Sequence, residues 1–460
     1  MGLVIRHGGG DGSGSIRAGS VWRRPAGKRG ALFHQALVAE AGPCIRRLAG
    51  SRAREMRFHR FLRHARVSVA EMALTVGLRT AERASGRDVL VIQDTSEVAI
   101  GGRAARAAGF GPVGRGGATG GVLVHPAIVV DARDNALLGL LDVKVWNRQG
   151  GKKQSKRGRA LAEKESCRWL EGAETAARLL GKARSVTVVS DAESDIYELF
   201  AGRPLGTHLV VRATRDRNLV EGGKLLTTLA AQPAAAHIQR IIPAAPGRKE
   251  RVARLALRFM CVEIKAPAGL PKELPQSLVL HAIEVREETT PAQGKPIRWL
   301  LLTSHAVTSA RRAEEILDYY RSRWTIEELF RTLKSAGFRI EDTELCDPKA
   351  VVTFAGLATI AAVTVMQLVR ARDGTTAQRH DDCFEADDTP LLEALSDRLE
   401  GRTDRQKNPH PKGSLAFASW VIARLGGWTG YYGKPGPFVM RHGLDRFYSI
   451  KMGANVAKDL

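Results

Sequence analysis

Short apolar runs rich in β-branched residues alternate along this chain with stretches of helical period, and two of the runs close on an aspartate. Val89, Leu90, Val91 and Ile92 lead to Asp94; Val186, Val188 and Val189 lead to Asp191. Such a run reads as a buried strand whose carboxyl end opens at a sheet edge. VLVIQD is followed, beyond a glycine-rich loop from Gly101 to Gly121, by VLVHPAIVV and ALLGLLDVKVW, predicting three consecutive antiparallel strands. A helical stretch over Leu161 to Leu180 then precedes SVTVVSD, a short helix and THLVVRAT.

The flanks differ in pattern. Residues 1–30, rich in Gly, Ser and Arg, read as disordered. The opening MGLVIRHGGGDGSGS lacks the apolar core of a signal peptide. Residues 31–85 read as a helical unit in which Arg52, Arg54, Arg57, Arg60, Arg63 and Arg66 recur at helical intervals with Phe58, Phe61 and Leu62 between them. That is a basic surface suited to phosphate contacts, or else a solvated face. Between Arg217 and Trp299, RVARLALRFMCVEI and SLVLHAIEVRE alternate as strands, and a helix is predicted over Ala310 to Ser335. Val351 to Val369 approaches the length of a membrane span, but three threonines and a glutamine make it a buried core helix. DGTTAQRHDD reads as a linker, and a last helical segment begins at Pro390.

Of 460 residues, 71 are Lys or Arg against 48 Asp or Glu, for a net charge of +23. Positive charge spread along the whole chain favours nucleic acid as partner over a membrane surface. The five cysteines, Cys44, Cys167, Cys261, Cys346 and Cys383, are scattered without a CxxC pair, which fits a reducing cytoplasm and neither a zinc site nor a disulfide framework. The loop cations Lys152, Lys153, Lys156, Arg157 and Arg159 read as a mobile phosphate-binding segment or a solvated loop.

The candidate chemistry lies where these patterns meet. Tyr320, Arg323, Glu327 and Lys334 follow at steps of three, four and seven, which return to one helix face. Glu328 lies about 100° around that helix and reads as structural. Asp195 reads as a supporting or capping residue, and His125 as a core histidine. An aspartate closing a strand is often only a turn or cap residue. Two of them with a helical glutamate form a set of carboxylates that repel unless a hard divalent cation sits among them, as two-metal phosphoryl transfer requires.

Asp94, Asp191 and Glu327, with the Tyr-x2-Arg-x3-Glu-x6-Lys signature, resemble the DDE transposases of the insertion-sequence-four family, transposon-five type. GSRAREMRFHRFLRHARVSVAEM from Gly50, EKESCRWL from Glu163, PIRWLLLTS from Pro296 and KPGPFVMRHGLDR from Lys434 fall in the family's order. The likeness spans about residues 45 to 450. It implies an RNase H-like fold: a mixed five-stranded sheet with flanking helices, built from residues 86–216 and 301–372 and interrupted by a β-rich insertion at 217–300. A shortened helical DNA-binding region at 31–85 and a helical C-terminal dimerisation domain at 373–460 complete it.

The implied activity is cut-and-paste transposition. Asp94, Asp191 and Glu327 would hold two Mg²⁺ ions, Mn²⁺ being able to substitute, at double-stranded transposon ends and target DNA in a homodimeric synaptic complex. Tyr320, Arg323, Lys334 and Arg212 would contact DNA. Trp299, twenty-one residues before Tyr320 as in that type, would stack on a flipped base during hairpin formation. The implied place is the bacterial cytoplasm, at the nucleoid. A catalytically silent DNA-binding protein derived from such an enzyme is the alternative.

Overall fold

The structure, a computed structural model, describes residues 25–459 apart from 41, 102–108, 118, 149–162, 243–248, 272, 290, 292–294 and 336. The cations from Lys152 to Arg159 and the first 24 residues lie outside the described residues.

The described residues begin with four helices: α1 (Pro25–Ala39), whose start falls inside the 1–30 stretch expected to be disordered, α2 (Ile45–Ala49), α3 (Arg52–Arg63) and α4 (Val69–Arg83). Ser51 and Ser68 cap α3 and α4 through their hydroxyls. Phe58, Phe61 and Leu62 are buried, with Phe58 stacked on Phe33 of α1 at 4.1 Å between ring centres. All six arginines from Arg52 to Arg66 point to solvent.

The strands follow as β1 (Asp88–Gln93), β2 (Ser96–Ala99), β3 (Gly111–Val113), β4 (Thr119–Asp131) and β5 (Leu137–Trp146). Then come α5 (Cys167–Leu179), β6 (Ser185–Ser190), α6 (Tyr197–Ala201), β7 (Thr207–Arg212), α7 (Leu225–Ala230), β8 (Ala236–Ile242), β9 (Arg251–Lys265), β10 (Ser277–Glu287) and β11 (Arg298–Thr303). One mixed sheet holds them all, with neighbours β5-β4-β1-β6-β7-β11-β10-β9-β8 and with β2 and β3 beside β4. β1, β6 and β7 are parallel; the other pairs are antiparallel.

The sheet is thus larger than the five strands expected. Val210, Val211 and Arg212 of β7 pair with Thr303, Leu302 and Leu301 of β11, so the strands from the 217–300 region continue the sheet past β7. An unpaired β7 edge would leave backbone donors and acceptors open, and β11 satisfies them. The glycine-rich segment also contributes β3 and the start of β4, rather than a loop throughout.

Alternation along each strand divides the core. Leu90 and Ile92 face the layer built by α1, α3 and the helices that follow residue 347; Val89 and Val91 face Trp169, Ala173 and Ala176 of α5. A strand buried on both faces reads as a continuous apolar run, which is why VLVI shows no polar positions.

The helix expected over 310–335 is two helices, α8 (Ala310–Arg321) and α9 (Trp324–Lys334). Between them Arg323 N–H donates to Tyr320 O, Thr325 N–H to Ser322 O and Ile326 N–H to Arg323 O, at 3.0–3.1 Å. These three-residue bonds tighten the chain into a turn. Glu327 therefore lies in the first turn of a new helix, where the backbone dipole favours a carboxylate.

α10 (Pro348–Ala371) is long and apolar enough to cross a membrane, yet 89% of its most apolar window is buried within this fold, against β5, α1 and α9. The expected linker after it is packed structure. Gln378 donates to Leu137 O of β5 at 2.9 Å, Asp382 pairs with Arg83 of α4 at 3.4 Å, and His380 is buried. Its polar residues satisfy sheet and helix groups, which composition alone does not separate from solvation. The chain ends in α11 (Thr389–Leu399), α12 (Leu415–Leu425) and α13 (Pro437–Asp459).

Candidate active site

The parallel pairing of β1 and β6 sets Asp88 against Ser185 and Ile92 against Val189. Carried two residues further, the same offset brings Asp94 and Asp191 off the sheet side by side. Asp94 is largely buried; one oxygen accepts from its neighbour Thr95 N–H at 2.7 Å. Burial, and then the nearby Asp191 charge, push its carboxyl up to about 7 against the opposing pull of Thr95 N–H and Arg323. Asp191 closes β6 by capping the turn that follows, accepting from Glu193 N–H at 2.9 Å.

Arg323 reaches these groups from the turn between α8 and α9. Nη1 lies 3.0 Å from Asp94 Oδ2, and Nη2 donates to Glu327 Oε1. The guanidinium therefore stands between two of the three carboxylates. This departs from the expectation that all three converge directly. Among the described residues, no group of three or more His, Cys, Asp and Glu side chains is placed to hold a metal ion. The physical reason is charge: bare carboxylates repel, and a guanidinium bridging two of them supplies the missing positive charge. The donors at Asp94 and Asp191 are hard oxygens in mutual repulsion, a chemistry that suits Mg²⁺.

Tyr320 is buried, its ring edge-on to Trp299 at 5.4 Å between centres. Burial raises its phenol above the usual range, opposed by the Arg323 and Arg212 guanidiniums near it. Arg212, the last residue of β7, sits half-buried opposite Leu301. Trp299 is half-buried on β11 opposite Val285. Beside it runs a groove of about 1420 Å³ between β8, β9 and the turn into α9, lined by both signs of charge, Arg251, Arg311 and Arg331 beside Glu314, Asp318 and Glu328 among others. Lys334, at the end of α9, donates to Glu97 O of β2 and lies 3.5 Å from Glu341. Tyr320, Arg323, Arg212 and Trp299 are thus brought together, whereas Lys334 is held to β2.

Glu328 turns away and pairs with Arg370 of α10 at 3.3 Å. Asp195 is buried in a pair with Arg217 and accepts from Thr214 and Arg215 N–H groups. His125 is buried against Trp169 and hydrogen-bonds Thr95 Oγ1 at 2.9 Å. Three further residues support the aspartates: Thr95, Arg168 and Glu193. Arg168 bonds both of the others, each of which lies beside an aspartate. Its signal was present in EKESCRWL, but its partners lie 73 and 25 residues away, beyond any local spacing rule.

A family model described as "Transposase DDE domain" matches residues 173–364. The matched span holds Asp191, Arg212, Trp299, Tyr320, Arg323, Glu327 and Lys334; Asp94 precedes it. The match supports a DDE transposase, a DNA-cleaving enzyme, and the mixed sheet with flanking helices fits an RNase H-like DDE domain.

Proposed function

We propose that the chain is a cut-and-paste DNA transposase of the insertion-sequence-four family, transposon-five type. One observation carries the reading: strand register delivers Asp94 and Asp191 to one sheet edge, where Arg323 ties Glu327 to Asp94. Asp94, Asp191 and Glu327 would hold Mg²⁺, which when bound lowers the barrier to in-line displacement at phosphorus by activating the attacking oxygen and stabilising the departing one.

The chain's own residues position DNA. Arg323 exchanges its carboxylate partners for a phosphate of the cleaved strand, a bidentate match for its planar fork. Arg212 and Lys334 add phosphate contacts; Tyr320, expected to contact DNA, is buried and instead packs beside Arg323 and Trp299. In the first step water attacks the scissile phosphorus and the 3′-oxygen leaves as a hydroxyl. That 3′-hydroxyl then attacks the opposite strand, closing a hairpin as the second 3′-oxygen departs. Hydrolysis reopens the hairpin, and the freed 3′-hydroxyls join target DNA. Trp299 accepts the base extruded at the hairpin bend. The exposed arginines of α3 bind duplex phosphates, and the C-terminal helices bridge two copies in the synaptic complex.

The test is Mg²⁺-dependent nicking of DNA carrying the element's own ends, wild type against Asp191→Ala. Nicking by wild type alone supports the enzyme. End binding without nicking by either protein would favour the silent DNA-binding alternative.

A further inference from the structure

Arg168 stands in the first turn of α5, behind the two aspartates, with its side chain 12% exposed. Nε donates to Thr95 Oγ1 at 2.8 Å, Nη1 to Glu165 O at 2.7 Å and Nη2 to Glu193 Oε2 at 2.9 Å. Its guanidinium carbon lies 4.9 Å from the Trp169 ring centre and 6.0 Å from that of Trp146. The partners are informative. Thr95 gives its N–H to Asp94 and Glu193 gives its N–H to Asp191, so one guanidinium grips both segments that donate to the aspartates.

The Thr95 arm is part of a closed ring. Because Arg168 donates to Thr95 Oγ1, the Thr95 hydroxyl is free to donate to His125 Nδ1 at 2.9 Å. His125 then carries its proton on Nε2, 3.3 Å from Gln93 Oε1, and Gln93 Nε2 donates to Trp169 O at 3.1 Å. Trp169 is the residue after Arg168, so the ring closes on α5. Gln93, His125 and Trp169 are buried. A Cβ on Gly172 would meet Gln93 Oε1 at 2.1 Å, so the absence of a side chain there makes room for the ring. Buried polar groups linked in this way hold one geometry, because any slip leaves several unpaired.

We infer that Arg168 is a positioning residue of the active site: by bridging Thr95 and Glu193, it sets how far apart Asp94 and Asp191 stand and how they aim. The inference rests on the proposed phosphoryl-transfer site. A guanidinium suits the task because its fork holds partners on two segments at fixed angles, which an ammonium cannot do.

The test compares wild type with Arg168→Met, Arg168→Lys and Glu193→Gln. Glu193→Gln weakens one arm at an exposed side chain and leaves the ring intact, so it remains informative if Arg168→Met fails to fold. Four readouts are taken: thermal melting, affinity for end DNA, Mg²⁺ dependence of single-turnover nicking, and Mn²⁺ binding to the DNA-free protein by electron paramagnetic resonance. Supporting partners of metal ligands typically change affinity or activity about 10–100-fold when removed. Arg168→Met is expected to weaken Mn²⁺ binding and raise the Mg²⁺ requirement by about tenfold, with end-DNA affinity held. Glu193→Gln should move both metal readouts in the same direction by less, and Arg168→Lys should recover part of the loss. Wild-type metal dependence in all three variants, or a fall in melting temperature and nicking with metal binding unmoved, overturns the inference. Absence of both nicking and Mn²⁺ binding in wild type would overturn the proposed function, and the inference with it.

Discussion

Arg323 Nη1 lies 3.0 Å from Asp94 Oδ2, joining two residues 229 positions apart in sequence. The guanidinium neutralises one member of the aspartate pair and, through Glu327, holds the third carboxylate away from direct contact with it. Removing this cation should leave a more negative site. Arg323→Met is therefore expected to bind Mn²⁺ more tightly than wild type in the absence of DNA, while end-DNA affinity and nicking both fall. A metal titration by electron paramagnetic resonance checks the first point. Weaker Mn²⁺ binding in the variant would show instead that Arg323 organises the carboxylates for the metal.

Asp94 carries a pH signature. Its carboxyl is raised to about 7 in the fold, from about 4 in an unfolded chain. Between those values the folded state binds more protons than the unfolded one, so metal-free stability falls as pH rises through that window. Below about pH 4 the penalty is absent; above about pH 7 it is complete. Asp94→Asn removes it. In metal-free buffer at pH 8 the variant should melt above wild type, by an amount corresponding to a few kcal/mol at most. At pH 4 the difference should vanish. Equal melting at both pH values would place Asp94 in a more solvated setting.

Trp299→Ala should permit the first nick and impair hairpin formation. Nicking needs an accessible phosphate, whereas the proposed hairpin step would extrude a base whose stacking on an indole recovers on the order of 1–3 kcal/mol. Denaturing gels separate the two products, with melting measured on the same sample. Equal loss of nicking, hairpin and melting temperature would leave Trp299 as packing against Tyr320.

Arg441 of α13 is buried over the Phe338 ring and donates to the carbonyls of Gly337, Leu37 and Glu40. It therefore ties the last helix to α1 and to the segment after α9. Arg441→Met keeps much of the volume and strands three carbonyls, at about 1–3 kcal/mol for each that remains buried. A drop of several degrees in melting temperature, with unchanged nicking per folded molecule, is expected.

These residues show what a single chain discloses. Asp94 and Asp191 were legible because each ends an apolar run, and β1, β4, β5, β6 and β7 fall on the apolar runs that read as strands. The break at Ser322 was not, because helical residues flank it on both sides and its cause is a change of hydrogen-bond step. Gln378 and His380 looked like linker because a polar side chain serving a buried carbonyl has the same letter as one in water. Arg168 and Arg441 were invisible as structural ties for another reason: their partners are brought by tertiary packing, and periodicity reports only local neighbours.

Strand cleavage by alanine variants bears most directly on the proposed chemistry. Asp94→Ala, Asp191→Ala and Glu327→Ala are assayed beside Glu328→Ala for nicking in Mg²⁺ and for binding of end DNA. The first three should lose nicking by orders of magnitude and still bind, since the arginine surface is untouched. Glu328, paired with Arg370 and turned away from the aspartates, should be dispensable for cutting. Near wild-type nicking by any of the first three would contradict that residue's assignment, and nicking by all three would contradict the active site itself.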